Sequence, residues 1–119
     1  PPYGATHGSA SMPAPYTIPN VWIDCYGGST NRTPSSAMRG FGVTIGDFAL
    51  ESQMDRIARE LKLDPLQFRL KNAYRDGDMK AHQKVASGTA LIEVIQKAAE
   101  LVGHELPGEY RSMSSSEER

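Results

Sequence analysis

The chain has little that would staple it covalently or place it in a membrane. One cysteine, Cys25, occurs in 119 residues, so no disulfide forms within the chain. A reducing, cytoplasmic setting is therefore the simpler expectation. No apolar run approaches the roughly 20 residues that a membrane span needs, and no signal-peptide pattern is present. An excess of one charge is also missing. Lys and Arg number 13 against 14 Asp and Glu, for a formal net charge of -1. Such a balance supplies no field to draw nucleic acid or an acidic membrane surface. There is no Gly-x-x-x-x-Gly-Lys phosphate loop, no Gly-x-Ser-x-Gly elbow and no internal repeat. The chain opens Pro1-Pro2 without methionine, as a processed chain, a cropped domain or a fragment would.

What is present suits one modest domain with a small core. Residues 1–15 are rich in Pro, Gly, Ala and Ser and read as loop or linker. Residues 16–31 carry the period-two signal of a strand, with Val21, Ile23 and Cys25 alternating against Trp22, Asp24 and Tyr26. Pro19 cannot donate to a ladder, so the strand starts after it or lies at an edge. Cys25 is expected as a small buried residue of that strand. Gly27-Gly28-Ser29-Thr30-Asn31 breaks the run.

Helical signals follow. A first helix is expected from about Gly46 to Lys62, with Leu50, Met54, Ile57, Ala58 and Leu61 on one face. Asp55 and Arg59 would pair on its wet side. Asp64-Pro65-Leu66-Gln67 is a helix start, with Asp64 as cap, Pro65 at the first helical position and Gln67 completing a capping box. That helix should end near Asn72. Residues 74–88 read as polar and irregular. A third helix begins at Thr89, with Leu91, Val94, Ile95, Ala98, Leu101 and Val102 on one side and Gly103 as its left-handed cap. The polar stretch Ser112–Arg119 is expected to be disordered and reads as a natural terminus.

Chemistry concentrates in Arg39-Gly40-Phe41-Gly42, just ahead of the first helix. Glycines let backbone approach a ligand and adopt positive φ. Free N–H groups before a helix favour an anionic group, and Phe41 could stack on a planar ring. A plain loop with Phe41 in the core is the simpler reading of four residues alone. Arg-Gly-Phe-Gly also opens an RNA-recognition motif, which needs its aromatics on a strand; Val43 occupies the second aromatic position here. Other candidates are weak. His7, His82 and His104 are scattered and show no metal-ligand spacing. Glu51 and Asp55 share a helix face that solvation explains better than paired acid catalysis. No residue of the chain stands out as a catalytic base.

Four ordered segments carry a resemblance. They are Tyr16-Thr-Ile-Pro-Asn-Val21, Asn31-Arg-Thr-Pro-Ser-Ser-Ala-Met-Arg-Gly-Phe-Gly42, Ala49-Leu-Glu-Ser-Gln-Met-Asp55 and Asp64-Pro-Leu-Gln-Phe-Arg-Leu-Lys-Asn72. Together they resemble the molybdopterin-binding subunit of the xanthine dehydrogenase and aldehyde oxidase family, over about residues 16 to 103. The resemblance implies a molybdenum hydroxylase that puts a water-derived oxygen on an electron-poor carbon, in a heteroaromatic ring such as nicotinate or a purine. It implies a molybdenum–molybdopterin cofactor, in a dinucleotide form, lying against Arg39, the residue expected nearest the metal. Gly40 and Gly42 would line the cofactor and Phe41 the substrate ring.

The implied partners are a second molybdopterin domain or subunit, an iron–sulfur subunit and a flavin (FAD) subunit, with no nucleic acid and no membrane. The family's glutamate base lies in a later domain and has no counterpart here, so no catalytic residue is assigned. One cysteine cannot carry an iron–sulfur cluster. Thr44-Ile45 stands where family members often have Pro-Gln. The ending resembles that of split molybdopterin subunits in some bacterial members. The expected organisation is linker 1–15, part of the first molybdopterin-binding domain 16–106, and a polar tail 107–119. The expected fold is α+β: a small, mostly antiparallel sheet with helices on one face, a two-layer sandwich within a larger subunit. An RNA-binding module, or a structural interaction domain without cofactor contact, are the alternatives.

Overall fold

The computed structural model describes residues 15–33 and 38–117. Four helices occur among them: α1 Val43–Glu60, α2 Pro65–Asn72, α3 Leu91–Leu101 and the short α4 Gly108–Arg111. The expected linker, His7 and residues 34–37 lie outside the described residues, apart from Pro15.

Helix α1 begins earlier than expected, before Gly46. Gly42 sits at φ 95° as its N-cap and turns the chain directly into Val43. Its C-terminus closes as a Schellman motif: Lys62 N–H bonds Arg59 C=O at 3.1 Å and Leu63 N–H bonds Ala58 C=O at 2.9 Å. Lys62 takes the left-handed conformation there at φ 55°, a position glycine usually fills. Helix α2 starts with the expected cap and proline. Asp64 Oδ1 accepts the Leu66 N–H at 2.9 Å and the Gln67 N–H at 3.0 Å, with Pro65 at the first helical position. Helix α3 ends on a second Schellman motif, with Gly103 at φ 68° and bonds Gly103 N–H to Glu100 C=O and His104 N–H to Ala99 C=O.

The core joins α2 to α3. Leu70, Ala73, Ile92, Ala99 and Leu106 are buried together, with Leu66, Leu91, Ile95, Tyr110 and Met113 packed against them. Removing a leucine of Leu70's size from water is worth about 1.5–3 kcal/mol, so these few residues carry much of the packing. Helix α1 lies on α2 and buries Met54 and Ala58. Leu50 and Ile57 are half-buried beside them, while Leu61 is exposed.

The described residues do not form the expected sheet. Among the described residues only two isolated antiparallel bridges occur, Tyr16–Ala73 and Met79–Val85. Tyr16 and Thr17 do run alongside the end of α2, through Thr17 N–H to Asn72 C=O at 2.8 Å and Tyr74 N–H to Pro15 C=O at 2.9 Å. Pro19 then has no N–H to continue the pairing, and among the described residues no second strand lies beside residues 20–33. The alternation survives only in exposure: Trp22 and Tyr26 stand out at 88%, Val21 and Ile23 less so. Cys25, expected to be buried in a strand, is exposed for the same reason. The two-layer sandwich is thus replaced by a helical assembly.

Two further expectations change. Residues 74–88 are not irregular throughout. Ala86 N–H bonds Asp78 C=O at 2.8 Å and Lys80 N–H bonds Lys84 C=O at 2.9 Å, forming a minimal hairpin around Met79 and Val85. The polar stretch after Ser112, expected to be disordered, is tied to α3 by bonds from Ser114 and Ser115 to Glu93, and Ser115 is buried.

Candidate functional site

The turn Arg39-Gly40-Phe41-Gly42 folds as a tight reversal. Phe41 N–H bonds Met38 C=O at 2.7 Å, and Val43 N–H bonds Gly40 C=O at 3.0 Å. Three consecutive residues are left-handed: Gly40 at φ 93°, Phe41 at 47° and Gly42 at 95°. Glycine tolerates this region freely; a bulky aromatic there stores strain on the order of 1–3 kcal/mol. At Gly40 a side chain is also excluded by packing, since a Cβ would stand 2.9 Å from Thr44 Cγ2.

The four candidate residues therefore lie together at one end of α1. Arg39 and Gly40 are exposed, Phe41 is 36% exposed and Gly42 half-buried. No side chain caps the first turn of α1. Val43 N–H is taken by Gly40, but the next N–H groups of the first turn, with their share of the helix dipole and the Arg39 guanidinium nearby in sequence, make this end receptive to an anionic, oxygen-rich group. A pterin phosphate has that chemistry, so the residues present fit the cofactor that the sequence resemblance implies. The RNA-recognition alternative loses its geometry: Phe41 lies on a turn that opens a helix, not on a strand face.

What holds α1 in place was not read from the sequence. Glu51, two turns into the helix, accepts the Tyr16 hydroxyl at 2.7 Å and the Arg69 Nε at 2.7 Å. Arg69 also reaches Asp55 Oδ1 at 2.8 Å and the Pro65 carbonyl at 3.2 Å. Asp55 thus turns to Arg69 of α2 and not to Arg59, and the acidic face thought to be solvated clamps two helices. Burial first, and then the Glu51 carboxylate, push the Tyr16 hydroxyl well above the ordinary tyrosine range. Burial alone would lower Arg69; its bonds to Asp55 and Glu51 outweigh that and raise it. The missed signal is long range, because Arg69 lies 18 residues from Glu51 and Tyr16 lies 35.

The histidines do not assemble. His82 is exposed, and His104 Nε2 sits 3.1 Å from Asp64 Oδ2. Among the described residues no group of three His, Cys, Asp or Glu could hold a metal ion, and no helix is long and apolar enough to cross a membrane.

Comparison with known proteins shows the family. The sequence profile of the molybdopterin cofactor-binding domain matches residues 2–73. The nicotinate dehydrogenase large molybdopterin subunit of Eubacterium barkeri is 35% identical over 96 residues, which are 80% of this chain and 23% of that protein. Aldehyde oxidoreductase of Megalodesulfovibrio gigas is 44% identical over 71 residues, 60% of this chain and 8% of its own length. The nicotine 6-hydroxylase large subunit of Paenarthrobacter nicotinovorans is 36% identical over 90 residues, 75% and 11% respectively. The chain belongs to the molybdopterin cofactor-binding domain family, among the subunits of the xanthine dehydrogenase and aldehyde oxidase group. It spans less than a quarter of the length of these three relatives.

Proposed function

We propose that this chain is one wall of the cofactor and substrate pocket of a molybdenum hydroxylase acting on an electron-poor heteroaromatic ring. The observation that carries this is the left-handed run from Gly40 to Gly42 ahead of an uncapped helix, within a domain of the molybdopterin-binding family. When bound, molybdenum–molybdopterin supplies a two-electron oxidation that places a water-derived oxygen on a ring carbon. Arg39 holds the cofactor by charge and lies nearest the metal, without serving as a ligand. Gly40 and Gly42 let the backbone pass close to the cofactor. Phe41 offers its ring to the substrate, at a position its strained backbone keeps from relaxing inward.

A pyridine-type substrate suits a flat aromatic wall. Two relatives are named for nicotinate and nicotine, which supports that class. The cofactor takes a dinucleotide form. Iron–sulfur and flavin subunits, and a second molybdopterin domain or subunit that brings the base, complete a cytoplasmic enzyme. Residues 16–106 belong to the first molybdopterin-binding domain and residues 107–119 form its tail.

Metal analysis of the native enzyme tests this first: molybdenum together with iron is expected, and a folded complex with neither metal overturns the reading. Substituting Phe41→Ala in that enzyme should lower kcat/KM on an N-heteroaromatic substrate about tenfold, or about 1.4 kcal/mol. Unchanged turnover would return Phe41 to a packing role.

A further inference from the structure

Helix α3 is apolar around more of its circumference than its own core uses. Ile92 and Ala99 enter the core, with Leu91 and Ile95 half-buried at its edge. Gln96 ties a second side to the C-terminal segment, through Nε2 to the Tyr110 carbonyl at 2.8 Å and the Met113 carbonyl at 2.9 Å. The rest of the helix remains open. Leu91, Val94, Ala98 and Leu101 recur at i, i+3, i+7 and i+10, the spacing of a helix–helix seam. Val94 is 62% exposed, Leu101 77%, and Val102, next to it, 78%. Sequence periodicity places these residues on one side of the helix; Leu91 meets the edge of the core, and the structure leaves Val94, Ala98 and Leu101 in solvent.

We propose that this stripe docks an apolar helix from the remainder of the molybdopterin-binding subunit, an occupant that rests on the functional reading above. The chain matches only 23% of a related molybdopterin subunit, so a subunit of that kind has most of its sequence outside these residues. The local chemistry fits a helix. Ala98 lies between Val94 and Leu101 as a low point that a large apolar side chain can fill, ridge into groove. Lys97 borders Leu101 on the polar side of the helix, where its ion pair to Glu100, 2.7 Å and exposed, edges the seam.

Hydroxyl-radical footprinting of the native enzyme tests the assignment without any substitution. Labelling of Val94 and Leu101 should fall at least tenfold below that of the same residues in the denatured enzyme. In a second measurement, Val94→Glu with Leu101→Arg should reduce assembled enzyme at least tenfold by sedimentation velocity. Both charges fall where the helix dipole favours them, so the helix itself is kept. Arg56→Glu, on the exposed face of α1, should assemble like wild type. Full labelling of the stripe, or normal assembly of the double variant, overturns the docking assignment. A Lys97-to-Lys97 cross-link between two copies overturns it in favour of self-association. Wild-type enzyme without molybdenum overturns the functional reading and the choice of occupant with it; molybdenum present with the stripe fully labelled overturns the docking assignment alone.

Discussion

Ser115 and Glu93 form a capping box across a gap in sequence. Ser115 Oγ accepts the Ile92 N–H at 3.2 Å from 23 residues away, and donates to Glu93 Oε2 at 2.6 Å. Ser115 N–H donates to Glu93 Oε1 at 2.8 Å. The N-cap position of α3 itself is Ala90, whose side chain has nothing to offer. Reciprocal bonding of this kind is normally made by a serine and a glutamate three residues apart. Here the serine comes from the C-terminal segment, and its carbonyl also accepts the Asp76 N–H at 2.8 Å. One buried serine therefore fastens the hairpin, α3 and the chain's end together.

Ser115→Ala should consequently cost about 1–2 kcal/mol, the usual worth of a lost helix cap with a buried donor left behind. Urea unfolding measures it. A cost near zero would mean that water replaces the hydroxyl.

Acid should weaken the same contact. Bonds from Ser115, first from its hydroxyl and then from its N–H, outweigh the opposing effect of burial and hold the Glu93 carboxyl down to about 2, against an ordinary value of 4.5. The unfolded chain takes up the proton first, so the contribution is complete above pH 4.5 and disappears as pH falls toward 2. Urea midpoints across that window should fall more steeply in wild type than in Glu93→Gln.

Alkali should act through Tyr16. Its hydroxyl is raised above the ordinary value of 10, by burial and then by Glu51, so the folded chain keeps a proton that the unfolded chain releases. Stability is therefore lost as pH rises past 10. Tyr16→Phe should remove that slope and cost about 1 kcal/mol at neutral pH through the lost bond to Glu51. An equally steep slope in the variant would assign it to another group.

Gly40→Ala tests the turn. Its φ of 93° and the 2.9 Å approach to Thr44 Cγ2 both oppose a methyl group. The conformational part alone is about 1–2 kcal/mol. Retained molybdenum per chain should drop while circular dichroism keeps the helical signal. Full metal occupancy would show that the turn relaxes without affecting the cofactor.

Much of the local structure was legible because its causes are local. Asp64 and Pro65 start α2 through their own side-chain chemistry, and Gly103 ends α3 because only a left-handed residue closes that motif. Arg39 to Gly42 alone read more simply as a plain loop, and it was the resemblance across four segments that led to the family. The strand at residues 16–31 was misjudged because alternation says which sides a strand would present, not whether a partner exists to receive its backbone bonds. The face of α3 was only partly legible: Leu91 and Ile95 of the expected side do pack against the core, but Ile92 and Ala99 are its buried members, because both sides are apolar and only the position of α2 and Leu106 selects between them. Likewise Glu51 with Arg69 and Tyr16, and Ser115 with Glu93, are pairs that chain distance conceals. By itself the sequence determined the start of α2 at Asp64 and Pro65, the end of α3 at Gly103, the glycines of the left-handed turn and the family. The tertiary structure decided which apolar face is core and which charges clamp the helices, because those depend on what each residue meets in space.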